Sequence, residues 1–113
     1  MDFEISYYTN SSGIKLVEEF LIDLSKTNPI LAKQAFKGIA KLRNRSYHQE
    51  PLSKFLESGL WELRIKAANN ILRILYTFKK GKIIILLHVF IKKQQKTPLN
   101  DLELAMKRFK EIA

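Results

Sequence analysis

The chain has 113 residues, 46% of them hydrophobic and 27% charged, which suits one compact core, is too small for two, and is too apolar for a disordered tail. It has no cysteine, so disulfides and thiolate metal sites are excluded, and its only histidines, His48 and His88, lie far apart without a carboxylate pair beside them, so no metal or other cofactor is expected. The formal net charge is +9, from 20 Lys and Arg against 11 Asp and Glu, which favours a polyanionic partner, nucleic acid first and membrane surface second.

Residues 2–9 alternate, with Phe3, Ile5 and Tyr7 on one side, as a strand does. Asn10-Ser11-Ser12-Gly13 reads as a turn. Ile14, Val17, Phe20, Leu21 and Leu24 then recur at helical spacing. Asn28-Pro29 supplies a cap and a proline for a second helix, whose stripe is Leu31, Ala35, Phe36, Ile39 and Leu42. The short link between them predicts an antiparallel helical hairpin. Residues 44–59, of mixed polarity with Pro51 and Gly59, read as a loop, and Tyr47 in it has no assigned role.

Three strands follow. Leu60–Lys66 alternates strictly, with Trp61, Leu63 and Ile65 inward and Glu62, Arg64 and Lys66 outward. Ile71–Phe78 places Leu72, Ile74, Tyr76 and Phe78 on one face and Arg73, Leu75 and Thr77 on the other. Lys79-Lys80-Gly81-Lys82 is a tight turn, with Gly81 free to take a positive φ. Ile83–Ile91 is almost continuously apolar, as in a strand covered on both faces. After a polar exit, Thr97-Pro98 or Asn100 caps a last helix carrying Leu102, Ala105, Met106, Phe109 and Ile112. The order strand-helix-helix-strand-strand-strand-helix predicts an α+β domain spanning the chain, with all helices packed on one face of an antiparallel sheet.

From Leu60 to Lys96 there are nine basic residues, Arg64, Lys66, Arg73, Lys79, Lys80, Lys82, Lys92, Lys93 and Lys96, and one acid, Glu62. Arg73 lies opposite the core positions of its strand, so packing does not account for its charge. If the strands pair as a hairpin, Arg64 and Arg73 approach each other and need a compensating anion or acid; Glu62 is the acid at hand. Such equipment suits RNA cleavage, in which the 2′-hydroxyl attacks the adjacent phosphate and cations stabilise the added charge without a metal. Glu62 and His88 are the candidate proton carriers, although a histidine in an apolar strand also suits a satisfied core position. Lys66, Lys79, Lys80, Lys82 and Lys96 are candidate RNA contacts. The N-terminus carries acids and no long apolar segment, and Ile83–Leu87 is far too short to cross a membrane, so a soluble cytoplasmic protein with no membrane partner is expected.

The pieces Glu62-Leu63-Arg64, Arg73-Ile74-Leu75-Tyr76, Leu86-Leu87-His88-Val89-Phe90, Lys92-Lys93, Lys96-Thr97-Pro98, and Ala105 with Arg108 together resemble the phage-derived, HigB-like branch of the RelE/ParE toxin superfamily. The resemblance covers residues 59–112, and the helical hairpin before it suits the same fold. It implies a type II toxin: a ribosome-dependent mRNA endonuclease that inhibits translation and is neutralised by a cognate antitoxin, of helix-turn-helix type by expectation. It further implies functional cations at Arg73, Arg64 and Lys92 or Lys93. RelE-type toxins carry a catalytic tyrosine near the C-terminus, and residues 97–113 contain none. ParE-type members inhibit DNA gyrase instead, so that activity and a non-catalytic nucleic-acid-binding module are the alternatives.

Overall fold

The computed structural model describes residues 2–67, 69–92 and 96–112. Strand β1 (Glu4–Tyr7) ends in a turn closed by Asn10, whose Oδ1 accepts from the amides of Ser12 at 3.0 Å and Ile14 at 2.9 Å. Helices α1 (Leu16–Thr27) and α2 (Pro29–Lys41) follow. Asn28 caps α2 by accepting from the Leu31 amide at 3.2 Å, and Pro29 occupies the first helical position, where its missing N–H costs nothing. Val17, Leu21 and Leu24 of α1 and Leu31, Ala35 and Ile39 of α2 are buried. Phe20 and Phe36, expected in the same stripes, lie at their exposed margins.

The meander is β3 (Leu60–Ala67), β4 (Asn70–Lys79) and β5 (Ile83–Lys92), antiparallel throughout. Lys80 and Gly81 take positive φ at the β4–β5 turn, as the glycine foretold. Helix α3 (Leu99–Ile112) closes the chain.

Three features depart from expectation. Residues 53–57 are a strand, β2 (Ser53–Glu57), within the stretch read as loop. It pairs antiparallel with β3 through Ser58-Gly59, both at positive φ, the backbone of a two-residue hairpin turn. Ser53 anchors it, accepting at 2.9 Å from the hydroxyl of the wholly buried Tyr76. The sheet, in order β1-β5-β4-β3-β2, is mixed rather than antiparallel, because β1 joins the free edge of β5 in parallel. The helices also occupy both faces. The hairpin covers Leu63, Ile65, Leu72, Ile74, Tyr76, Ile84 and Leu86, whereas α3 covers Leu60, Leu75, Ile85, Leu87 and Tyr8 on the reverse. Those reverse-face residues form a second apolar patch, and burying each large side chain is worth roughly 1.5–3 kcal/mol, so a helix must sit there too.

A bulge in β5 sets the geometry of the reverse face. Leu75 pairs with His88 but Tyr76 pairs with Leu86, which leaves Leu87 as the extra residue. Both Leu87 and His88 therefore face α3, and the alternation beyond them is reversed. Arg108 of α3 donates to the Leu87 carbonyl at 2.8 Å, satisfying a backbone group at the irregularity. Ala105 meets the sheet with no exposed surface, so Ala105→Glu should unseat α3 and cost about 2–4 kcal/mol in chemical denaturation. A loss below about 0.5 kcal/mol, as at an open surface site, would contradict this docking.

Candidate functional site

Strand parity and the bulge bring the cations of the meander to one end of the reverse face. Glu62, Arg64 and Lys66 share that face of β3. Arg73 stands directly opposite Arg64 on β4, and Lys54 of β2 directly opposite Glu62. Phe90 and Lys92 reach the same side because the bulge has flipped their parity: Phe90 pairs with Arg73 and Lys92 with Ile71.

Glu62, 1% exposed, is the hub. Its Oε1 accepts from Arg73 Nη1 and from Arg64 Nε, the latter at 3.3 Å, and its Oε2 accepts from the Thr97 hydroxyl at 2.7 Å. One carboxylate thus compensates two opposed guanidinium groups and ties the segment before α3 to the sheet. Arg73 is 5% exposed, and its buried Nε has no hydrogen-bond partner among the described residues. Its charge is therefore part of a buried network, a correction to the outward, unpacked position expected from strand alternation. Arg64 is more open, with a quarter of its side chain exposed and a second ion pair to Glu50 at 3.5 Å. Lys92 is buried, and its pKa lies below the ordinary 10.5, chiefly through burial and then through the neighbouring Arg73. A groove of about 630 Å³ runs over the cluster, lined by Lys54, Leu56, Glu62, Arg64, Lys92, Lys96, Thr97 and Leu102.

The structure thus brings together Glu62, Arg64, Arg73, Lys92 and Lys96. Lys66 lies two residues beyond Arg64 in an adjoining groove. Lys93 falls outside the described residues. Lys79, Lys80 and Lys82 sit at the far hairpin; Lys79 is six strand residues from Arg73, roughly 20 Å away. Lys82 places its ammonium 5.3 Å from the Phe3 ring centre. His88 is also apart: Glu62, Leu75 and His88 are in register across three strands, two spacings or roughly 10 Å. Its Nε2 meets Asp101 Oδ1 of α3 at 2.6 Å, so the ring already has a partner on that helix. Lys54, Glu50 and Thr97 were not singled out from sequence. Thr97 lies in the noted Lys96-Thr97-Pro98 piece, and Ser58-Gly59 is the turn signal that locates the hairpin carrying Lys54.

Tyr76 stands apart from this cluster. It lies on the opposite face, and burial pushes its hydroxyl up to about 12. Tyr8 is engaged with Glu111, which raises its pKa as well. Among the described residues, no three His, Cys, Asp or Glu side chains come together in a way that would hold a metal ion, and no helix is long and apolar enough to cross a membrane.

A family model described as Phage derived protein Gp49-like (DUF891) matches residues 22–110. No curated protein matches the chain.

Two stability measurements follow from this geometry. Glu62→Ala strands a buried arginine and should cost about 3–5 kcal/mol, whereas Glu62→Leu combined with Arg73→Met should recover most of it. A double variant as unstable as the single one would show that the pair is not coupled. His88 is held below its ordinary 6.5 by burial, with Asp101 opposing. The fold favours the neutral ring, so this stability is complete above pH 6.5 and is lost as pH falls through the lower folded value. Denaturation between roughly pH 5 and 8 should show that slope, and His88→Gln should lack it.

Proposed function

The chain belongs to the phage-derived Gp49-like family, a RelE-like, toxin-like family, and on that premise we propose that it is the toxin of a type II toxin–antitoxin pair, of the HigB-like branch, cutting mRNA on the ribosome without a metal. The observation carrying this reading is the convergence of Arg64, Arg73 and Lys92 around the Glu62 carboxylate under an open groove. A phosphodiester seated there meets concentrated positive charge in a partly desolvated site, where electrostatic stabilisation is strongest.

In this reaction the 2′-oxygen forms a bond to phosphorus, the bond from phosphorus to the 5′-oxygen breaks, and a cyclic phosphate remains. Arg64, the more exposed guanidinium, holds phosphate oxygens as their charge grows. Arg73 reinforces the field from beneath. Among the described residues, the hydrogen bonds made by Glu62 orient its neighbours, so we assign it the role of positioning the arginines rather than of carrying the proton. Lys92 accepts the proton of the 2′-hydroxyl: its lowered pKa enlarges the neutral amine fraction near neutral pH. The 5′-oxygen is protonated from solvent as it leaves. The antitoxin works by covering this basic groove or by displacing the helices that frame it.

On purified ribosomes Arg64→Ala should lose roughly 100- to 1000-fold in cleavage rate with little change in melting temperature. Arg73→Ala should lose both activity and stability, because it removes the buried partner of Glu62 and leaves the carboxylate only the more exposed Arg64, and Arg73→Lys should restore stability better than activity. Lys92→Arg keeps the charge but cannot release its proton, so it should be inactive; the wild-type rate should rise with pH up to the lowered Lys92 pKa. Full activity in a stable Arg64→Ala protein would overturn the proposal. Gyrase inhibition with intact translation would favour the ParE-type activity instead.

A further inference from the structure

A second groove, of about 650 Å³, adjoins the first, and Arg64 lines both. Arg73, Lys66 and Lys41 add positive charge to it, Leu52 and Ile71 give it apolar surface, and it carries one aromatic ring, Tyr47. Tyr47 is 38% exposed and belongs to the 3₁₀ turn Arg45–Tyr47. The turn is pinned by Asn44, whose Oδ1 accepts from the Ser46 amide at 2.9 Å and from the Ser46 hydroxyl at 2.8 Å. The Lys41 ammonium sits 5.6 Å from the ring centre. A large aromatic side chain held open to solvent beside a run of cations adds little to the core, but it is what a single-stranded polynucleotide needs beside its phosphates.

We infer that Tyr47 is a stacking platform for the unpaired base next to the phosphate held at Arg64, so that the RNA strand runs from one groove into the other across that arginine. The inference deepens the proposed RNA-cleaving function and rests on it for the identity of the strand. The Ser46 hydroxyl and an amide hydrogen of Gln49 already bond within the loop, so recognition comes from the ring face rather than from base edges, and the base preference is broad. The ordered turn presents the ring in place before binding, which reduces the entropy lost on complex formation.

The test uses the full chain, a single-stranded decaribonucleotide, and an abasic decamer with the same number of phosphates. Wild type should bind the intact decamer roughly 5- to 150-fold more tightly than the abasic one, the range expected for stacking one base. Tyr47→Ala should abolish that difference and Tyr47→Phe should keep it, both at unchanged melting temperature, while Arg64→Ala should weaken both decamers alike. Equal affinity of wild type for the two decamers would describe a groove that reads charge alone, as an acidic protein segment would require, and would overturn the inference. So would a preference for bases that survives in Tyr47→Ala, or no binding of either decamer at low salt. Cleavage on ribosomes is scored separately. Base-dependent binding through Tyr47 without cleavage would sink the endonuclease reading alone, and cleavage without base-dependent binding would sink this inference alone.

Discussion

Arg64 and Arg73 face each other across the β3–β4 ladder, and two guanidinium groups placed there repel one another. The sheet tolerates the juxtaposition because the Glu62 carboxylate lies between them and accepts from both. A buried ion pair of this kind is weak evidence for added stability, since the desolvation cost roughly offsets the attraction. Its consequence is organisational. Removing Glu62 strands the buried Arg73, and removing Arg73 leaves Glu62 only the more exposed Arg64, so the buried pair behaves as a unit. The bond from Thr97 to Glu62 then makes the approach to α3 part of that unit.

The bulge at Leu87 is the second constraint. Without it, strict alternation in β5 would turn Lys92 toward the helical hairpin and leave the cluster without its third cation. The same bulge supplies the Leu87 carbonyl that Arg108 grips, and it turns His88 toward Asp101. The geometry of the cation cluster and the seating of α3 thus share one local irregularity. Bulges recur beside functional sites for this reason: they re-aim side chains that simple pleating would misplace.

The net charge of +9 acts at two ranges. Surface lysines, including those at the β4–β5 hairpin far from the cluster, raise the local concentration of a polyanion and speed encounter, an effect that salt screens. The buried cluster acts only at contact, where screening is weak and geometry decides. Charge composition reports the first contribution. The second exists only once β2, β3, β4 and β5 are aligned.

Apart from β2, the order of the elements, the Asn28-Pro29 helix start, the meander and the two-sided burial of Ile83–Ile91 were all legible in the sequence, because each rests on local periodicity or on residues with special backbone preferences. The opposition of Arg64 to Arg73, with Glu62 beside them, followed from strand alternation and a hairpin register. Four things were decided by tertiary structure alone. The pairing partner of β1 depends on which sheet edge stays open, and no strand pattern encodes that. Ser53–Glu57 lacks clean alternation and becomes a strand because β3 offers an unpaired edge. The side taken by α3 depends on Leu60, Leu75, Ile85 and Leu87 summing to a patch across three strands. The arrival of Phe90 and Lys92 on the face of Arg73 depends on a one-residue bulge, which changes the face of every later side chain without altering the composition of the strand.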